Sequence, residues 1–62
     1  MESTHRLDAI EVAINELISI RETMYAHFLY GAGDEINISV NHLRAQRDRL
    51  VWEVEREREN VS

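Results

Sequence analysis

The sequence predicts an all-α fold: an antiparallel two-helix hairpin that pairs with a second copy into a homodimeric four-helix bundle. Two series of mostly apolar residues carry this prediction. Each advances in alternating steps of three and four residues, the spacing that keeps one face of a helix against a partner helix. The first series is Leu7, Ile10, Ile14, Leu17, Arg21, Met24 and Phe28, and the second is Ile36, Val40, Leu43, Arg47, Leu50 and Val54. We call these two facing series the seam.

The length of the chain supports the pairing of two copies. Sixty-two residues allow one small domain, residues 1–62, and the sequence contains no cysteine. A domain of this size buries only about 60% of its unfolded surface, and two helices side by side bury less. Disulfides are excluded as a source of extra stability, so self-association is the expected one.

The first helix is predicted over about residues 5–30. This stretch contains neither proline nor glycine, and its apolar residues keep helical spacing throughout. Ser3 or Thr4 is placed to cap the start of the helix.

A glycine loop is predicted at residues 31–35. Gly31 or Gly33 can take the left-handed conformation that ends a helix, and Asp34 can cap the next one. A loop this short makes the two helices antiparallel neighbours. Folding at this point places Arg21 opposite Leu43 in the seam.

The second helix is predicted over about residues 36–60. Its first five residues alternate apolar and polar side chains, which is also typical of a strand. A five-residue strand without a second strand to pair with does not form a sheet, so we predict helix there as well.

Two arginines, Arg21 and Arg47, occupy seam positions where apolar residues are expected. A charge in this position must reach water or find a carboxylate. One interpretation is a polar layer that fixes the register and the oligomeric state. The other is a pair of cations that bind an anionic group.

Apolar residues outside the seam indicate a second contact surface. Ile38, Ala45 and Trp52 recur at seven-residue intervals, Val51 lies beside them, and Arg56 is one turn beyond Trp52. Tryptophan and arginine are enriched at binding hot spots. The sequence predicts that this surface binds either a second copy or another protein.

Charge and composition exclude several classes of protein. Twelve acidic residues against seven basic ones, all arginine, give a net charge of −5, so nucleic acid is not the expected partner. The only basic cluster is His42, Arg44, Arg47 and Arg49. No apolar run reaches the roughly 18 residues of a membrane span, and the first four residues have neither the basic start nor the apolar core expected of a signal peptide. The prediction is a cytoplasmic protein without a membrane segment.

No metal site, cofactor or catalytic centre is predicted. No two histidines share a helix face, and Glu2 and His5, which have the spacing of a bundle metal site, lie at the end of the chain. A two-helix hairpin also offers no deep pocket for a small-molecule substrate.

Two families show a resemblance. In length and plan the chain resembles the plasmid copy-control hairpins of the Rop type, which implies an RNA-binding homodimer. It is also similar to the short sporulation-type aspartyl-phosphate phosphatases. Arg21 and Met24 match the R-x-x-M turn of that family, and Asp48, Leu50 and Val51 match part of its S-Q-x-L-D-x-L-I motif. Arginines replace the serine and the first leucine of that motif. The resemblance implies a phosphatase-like regulator that depends on Asp48.

The functional prediction is a small non-enzymatic regulatory or inhibitory protein of the phage or plasmid accessory type, acting by protein–protein interaction. The alternatives are an RNA-binding dimer and a phosphatase-like regulator of a response regulator.

Overall fold

The structure, a computed structural model, describes the backbone of residues 2–61 and the side chains of residues 4–59. It contains two helices, α1 (Glu2–Ala26) and α2 (Tyr30–Val61), packed antiparallel in a rod 51 Å long. The predicted all-α hairpin is confirmed. Because α1 already includes Ser3 and Thr4, neither residue caps it as predicted. Neither described helix is long and apolar enough to cross a membrane.

The turn between the helices lies at residues 27–29, not at 31–35. The Leu29 amide donates to the Met24 carbonyl at 2.9 Å, and the Phe28 amide donates to the Tyr25 carbonyl at 3.0 Å. This pair of bonds is the Schellman arrangement, which closes a helix around one left-handed residue. Phe28 is that residue, with φ of 62°.

The glycines lie inside α2, so the predicted loop at 31–35 and the predicted start of the second helix at 36 are wrong. Neither Gly31 nor Gly33 has positive φ, and the Gly33 amide donates to the Leu29 carbonyl at 2.9 Å as part of the first turn of α2. Asp34 is the fifth residue of α2 rather than its cap. Phe28 has taken the conformational role that the glycines were expected to fill.

The seam forms the contact between the helices. Of the eleven apolar residues predicted in it, ten are buried or half-buried. Ile14 and Val40 are the buried hydrophobic residues of the described chain. The exception is Phe28, which was predicted to belong to the seam but is 76% exposed because it lies in the turn.

The two helices meet in a different register from the predicted one. Arg21 contacts Asn37 instead of Leu43, and Arg47 contacts Glu11. The partner of Arg21 has moved by six residues, about 9 Å along a helix. The earlier turn causes this shift, since each residue of α2 folds back onto a part of α1 six residues earlier in the chain than predicted.

Candidate interaction surfaces

Ile38, Ala45 and Trp52 form an exposed apolar stripe along α2. Trp52 is 58% exposed and Ile38 is 55% exposed. Each member is two residues away from a seam residue, and at 100° per residue this places it nearly opposite the seam. We call these three residues the Trp52 stripe. In the hairpin, no part of α1 covers it.

The Trp52 end of the stripe carries a cation–π contact. The Arg56 guanidinium lies 4.8 Å from the centre of the indole ring, within the range in which the ring attracts a cation. Val51, predicted to belong to the same surface, is half-buried toward α1. A shallow depression of about 190 Å³ beside the ring is lined by Trp52, Glu55, Arg56 and Glu59. The ring is therefore held at the surface, among charges of both signs.

Arg21 is engaged by both helices. Its guanidinium donates to the Asn37 side-chain oxygen at 2.6 Å and lies 4.0 Å from a carboxylate oxygen of Glu22. Only 20% of its side chain is exposed. The cross-helix partner is an amide rather than the expected carboxylate.

Arg47 is engaged in the same way near the other end of the hairpin. Its Nη1 donates to Glu11 of α1 at 3.2 Å, and its Nε donates to Asp48 at 3.1 Å. The hydrogen bonds to Glu11 and Asp48 raise the pKa of the guanidinium, so it stays charged. Both seam arginines therefore have their donors directed at side chains of the hairpin, which fits a polar layer better than an anion site.

The residues that would serve nucleic-acid binding or phosphatase activity do not form a cluster. Arg44 and Arg49 are exposed on different sides of α2, with the paired Arg47 between them. Asp48, the residue implied by the phosphatase resemblance, is exposed and accepts from Arg47.

A second apolar surface, missed by the sequence analysis, lies at the turn. Phe28, Leu29 and Tyr30 are all more than half exposed. The centres of the Phe28 and Tyr30 rings are 6.3 Å apart, and these rings meet edge to face. The centres of the Tyr25 and Tyr30 rings are also 6.3 Å apart, and these rings are tilted. We call Phe28, Leu29 and Tyr30 the hairpin tip. The signal in the sequence was a run of three large apolar residues next to the first glycine.

Tyr25 ties the tip to α2. A β-carbon added to Gly33 would lie 2.4 Å from Cε1 of the Tyr25 ring, so the absence of a side chain lets the ring cross the helix. The Tyr25 hydroxyl donates to Asp34 at 2.7 Å. This hydrogen bond is the main reason that the pKa of Tyr25 is raised from 10.0, with burial contributing less.

Among the side chains described, no three histidine, aspartate or glutamate residues are grouped so that they could hold a metal ion. The side chain of Glu2, which the sequence pairs with His5, lies outside the described residues.

Comparison with protein-family models, with curated proteins and with solved structures found no significant match to this chain.

Proposed function

We propose that this chain is a non-enzymatic regulatory or inhibitory protein that binds another protein through the Trp52 stripe, with Val51 and Arg56 at its edge. The observation that carries the proposal is the exposure of Trp52 on the side of α2 opposite the seam, with Arg56 over its ring. Large apolar side chains that recur along one exposed helix face are typical of protein-binding surfaces.

We also propose that the hairpin associates with a second copy. The chain exposes 4886 Å², whereas a globular monomer of 7.3 kDa exposes about 4,200 Å². The excess is close to the roughly 800 Å² that each partner buries in a standard protein interface. Exposed Ile20 adds apolar surface beside the seam on α1.

The two roles are compatible in one molecule. Two hairpins that pair side by side bury residues flanking the seam, because a four-helix bundle closes around its core. The Trp52 stripe lies opposite the seam, on the outside of such a bundle. Self-association of this kind leaves Trp52 available to a different protein.

Light scattering across a dilution series, with Trp52 fluorescence read on the same samples, tests the proposal. The expected result is a dimer whose Trp52 emission is that of a solvent-exposed indole. A folded monomer would refute the proposed self-association. A dimer with blue-shifted, shielded Trp52 would show that the second copy covers the stripe.

Binding to the partner is tested with Trp52→Ala. We expect this substitution to abolish binding and the affinity of the wild-type chain to fall only modestly with salt. The control is Val12→Ala, because Val12 is exposed to a similar extent on the other helix. An affinity that falls steeply with salt and does not respond to Trp52→Ala would indicate nucleic-acid binding instead.

A further inference from the structure

We propose that the hairpin tip is a docking surface for a protein whose pocket is apolar and has a basic rim. This proposal is independent of the Trp52 stripe, since it rests on a different part of the molecule. The tip consists of Phe28, Leu29 and Tyr30, all of them exposed.

The backbone of Phe28 is the first observation behind the proposal. Its φ of 62° is sterically unfavourable for a bulky side chain, and helices that end in this way usually have glycine at the position. The ring gains little from burial in return, since Phe28 is 76% exposed. Strained, exposed residues concentrate at functional sites. The phenylalanine is therefore better explained by an external contact than by folding.

The tip is also held in one arrangement before any partner binds. Two hydrogen bonds close the turn, and Tyr30 contacts both the Phe28 ring and the Tyr25 ring at 6.3 Å. Tyr25 is fixed in turn by its 2.7 Å hydrogen bond to Asp34. Rigid aromatic anchors lose little conformational entropy on binding, which favours affinity.

The charges around the tip define the chemistry of the partner. Within two helical turns before and after the tip, the exposed acidic residues are Glu22, Asp34 and Glu35. Arg21, the one arginine in those turns, donates to Asn37 and lies 4.0 Å from Glu22, so the carboxylates of Asp34 and Glu35 leave the surround acidic. An acidic surround complements a basic rim and repels both a second tip and an anionic membrane. These charges select a basic protein pocket as the occupant.

Photocrosslinking from the tip tests the proposal directly. Phe28 is replaced by p-benzoylphenylalanine in the full chain, within the cells that make it, and the adducts are identified by mass spectrometry. The control carries the same photoprobe at Val12, which is exposed on α1 about 24 Å away along the hairpin. We expect position 28, and not position 12, to label one protein at a peptide with arginine or lysine beside apolar residues.

Three results would overturn the proposal at this stage. They are labelling of a second copy of the chain from position 28, labelling of phospholipid from position 28, and identical adducts from positions 28 and 12.

The partner identified by crosslinking is then purified, and its affinity for variants of the chain is measured. This separates the role of Phe28 in recognition from its role in folding. Phe28→Gly should weaken binding by about 30-fold or more, as loss of a hot-spot residue does. The same variant should raise Tm by about 4–8 °C, because glycine adopts the left-handed conformation without steric cost.

Asn41→Ala is the control for stability, since it favours the helix in the middle of α2, away from the tip. It should leave the affinity unchanged. Unchanged binding by Phe28→Gly would refute the docking surface. Trp52→Ala in the same assay reports on the Trp52 stripe separately.

Discussion

Adding one methyl group at each of two neighbouring glycines measures how tightly the tip is packed. The β-carbon of Gly31→Ala meets nothing within 4 Å, so we expect stabilisation by up to about 1 kcal/mol from helix propensity alone. The β-carbon of Gly33→Ala would lie 2.4–2.9 Å from three atoms of the Tyr25 ring. Displacing the ring costs about 1–3 kcal/mol, and losing its hydrogen bond to Asp34 costs about 1 kcal/mol more. After the same gain in propensity, we expect Gly33→Ala to be destabilising by about 2 kcal/mol.

Chemical denaturation at one fixed protein concentration gives the free energies of unfolding. A double-mutant cycle supplies the control: with Tyr25→Ala in the background, Gly33→Ala should be stabilising, as Gly31→Ala is. If Gly33→Ala stabilises the unmodified chain as much as Gly31→Ala does, the close contact between Tyr25 and α2 is refuted.

Three further predictions follow from the seam, the tip and the stripe. Arg47→Leu should change the free energy of unfolding by less than about 1 kcal/mol from the wild-type value, or raise it, because partly exposed ion pairs contribute little. Light scattering of this variant should show a broader range of oligomers, because the polar layer is lost. Asp34→Asn should lower the pKa of Tyr25, read by NMR titration of its ring. Folding favours protonated Tyr25, so this contribution to stability is complete below pH 10.0 and disappears as the pH rises through the folded-state pKa; an unchanged pKa would contradict the role of Asp34. Trp52→Ala should change the free energy of unfolding by less than about 0.5 kcal/mol in thermal unfolding, as should Val12→Ala, since both side chains are exposed; a larger loss would show that Trp52 supports the fold.

The hairpin could be predicted from periodicity, but its turn could not. The alternating steps of three and four residues identify the face that each helix buries, wherever the turn lies. The position of the turn depends on which residue adopts positive φ, and glycine is the expected choice. Here Phe28 adopts it and Gly33 instead accommodates the Tyr25 ring. The predicted register was wrong for that reason alone.

The two candidate surfaces also differ in whether they depend on the position of the turn. The Trp52 stripe follows from spacing within one helix, so its exposure could be expected before the structure was known. The tip depends on the turn, and Phe28 was assigned to the seam because it continues the repeat of α1. A repeat in sequence does not show where the helix stops. The contact between Arg47 and Glu11 was equally inaccessible, because it depends on the register.

Helix α2 connects the tip and the stripe without interruption, since Tyr30 is its first residue and Trp52 lies in its second half. Trp52 comes 22 residues after Tyr30, which corresponds to about 33 Å of helix. The helix therefore holds the two candidate surfaces at a fixed distance and angle. One residue inserted into α2 would lengthen this distance by about 1.5 Å and rotate one surface relative to the other by about 100°. The same insertion would turn the seam residues beyond it away from α1, so the packing of the seam is what fixes the geometry of the two surfaces.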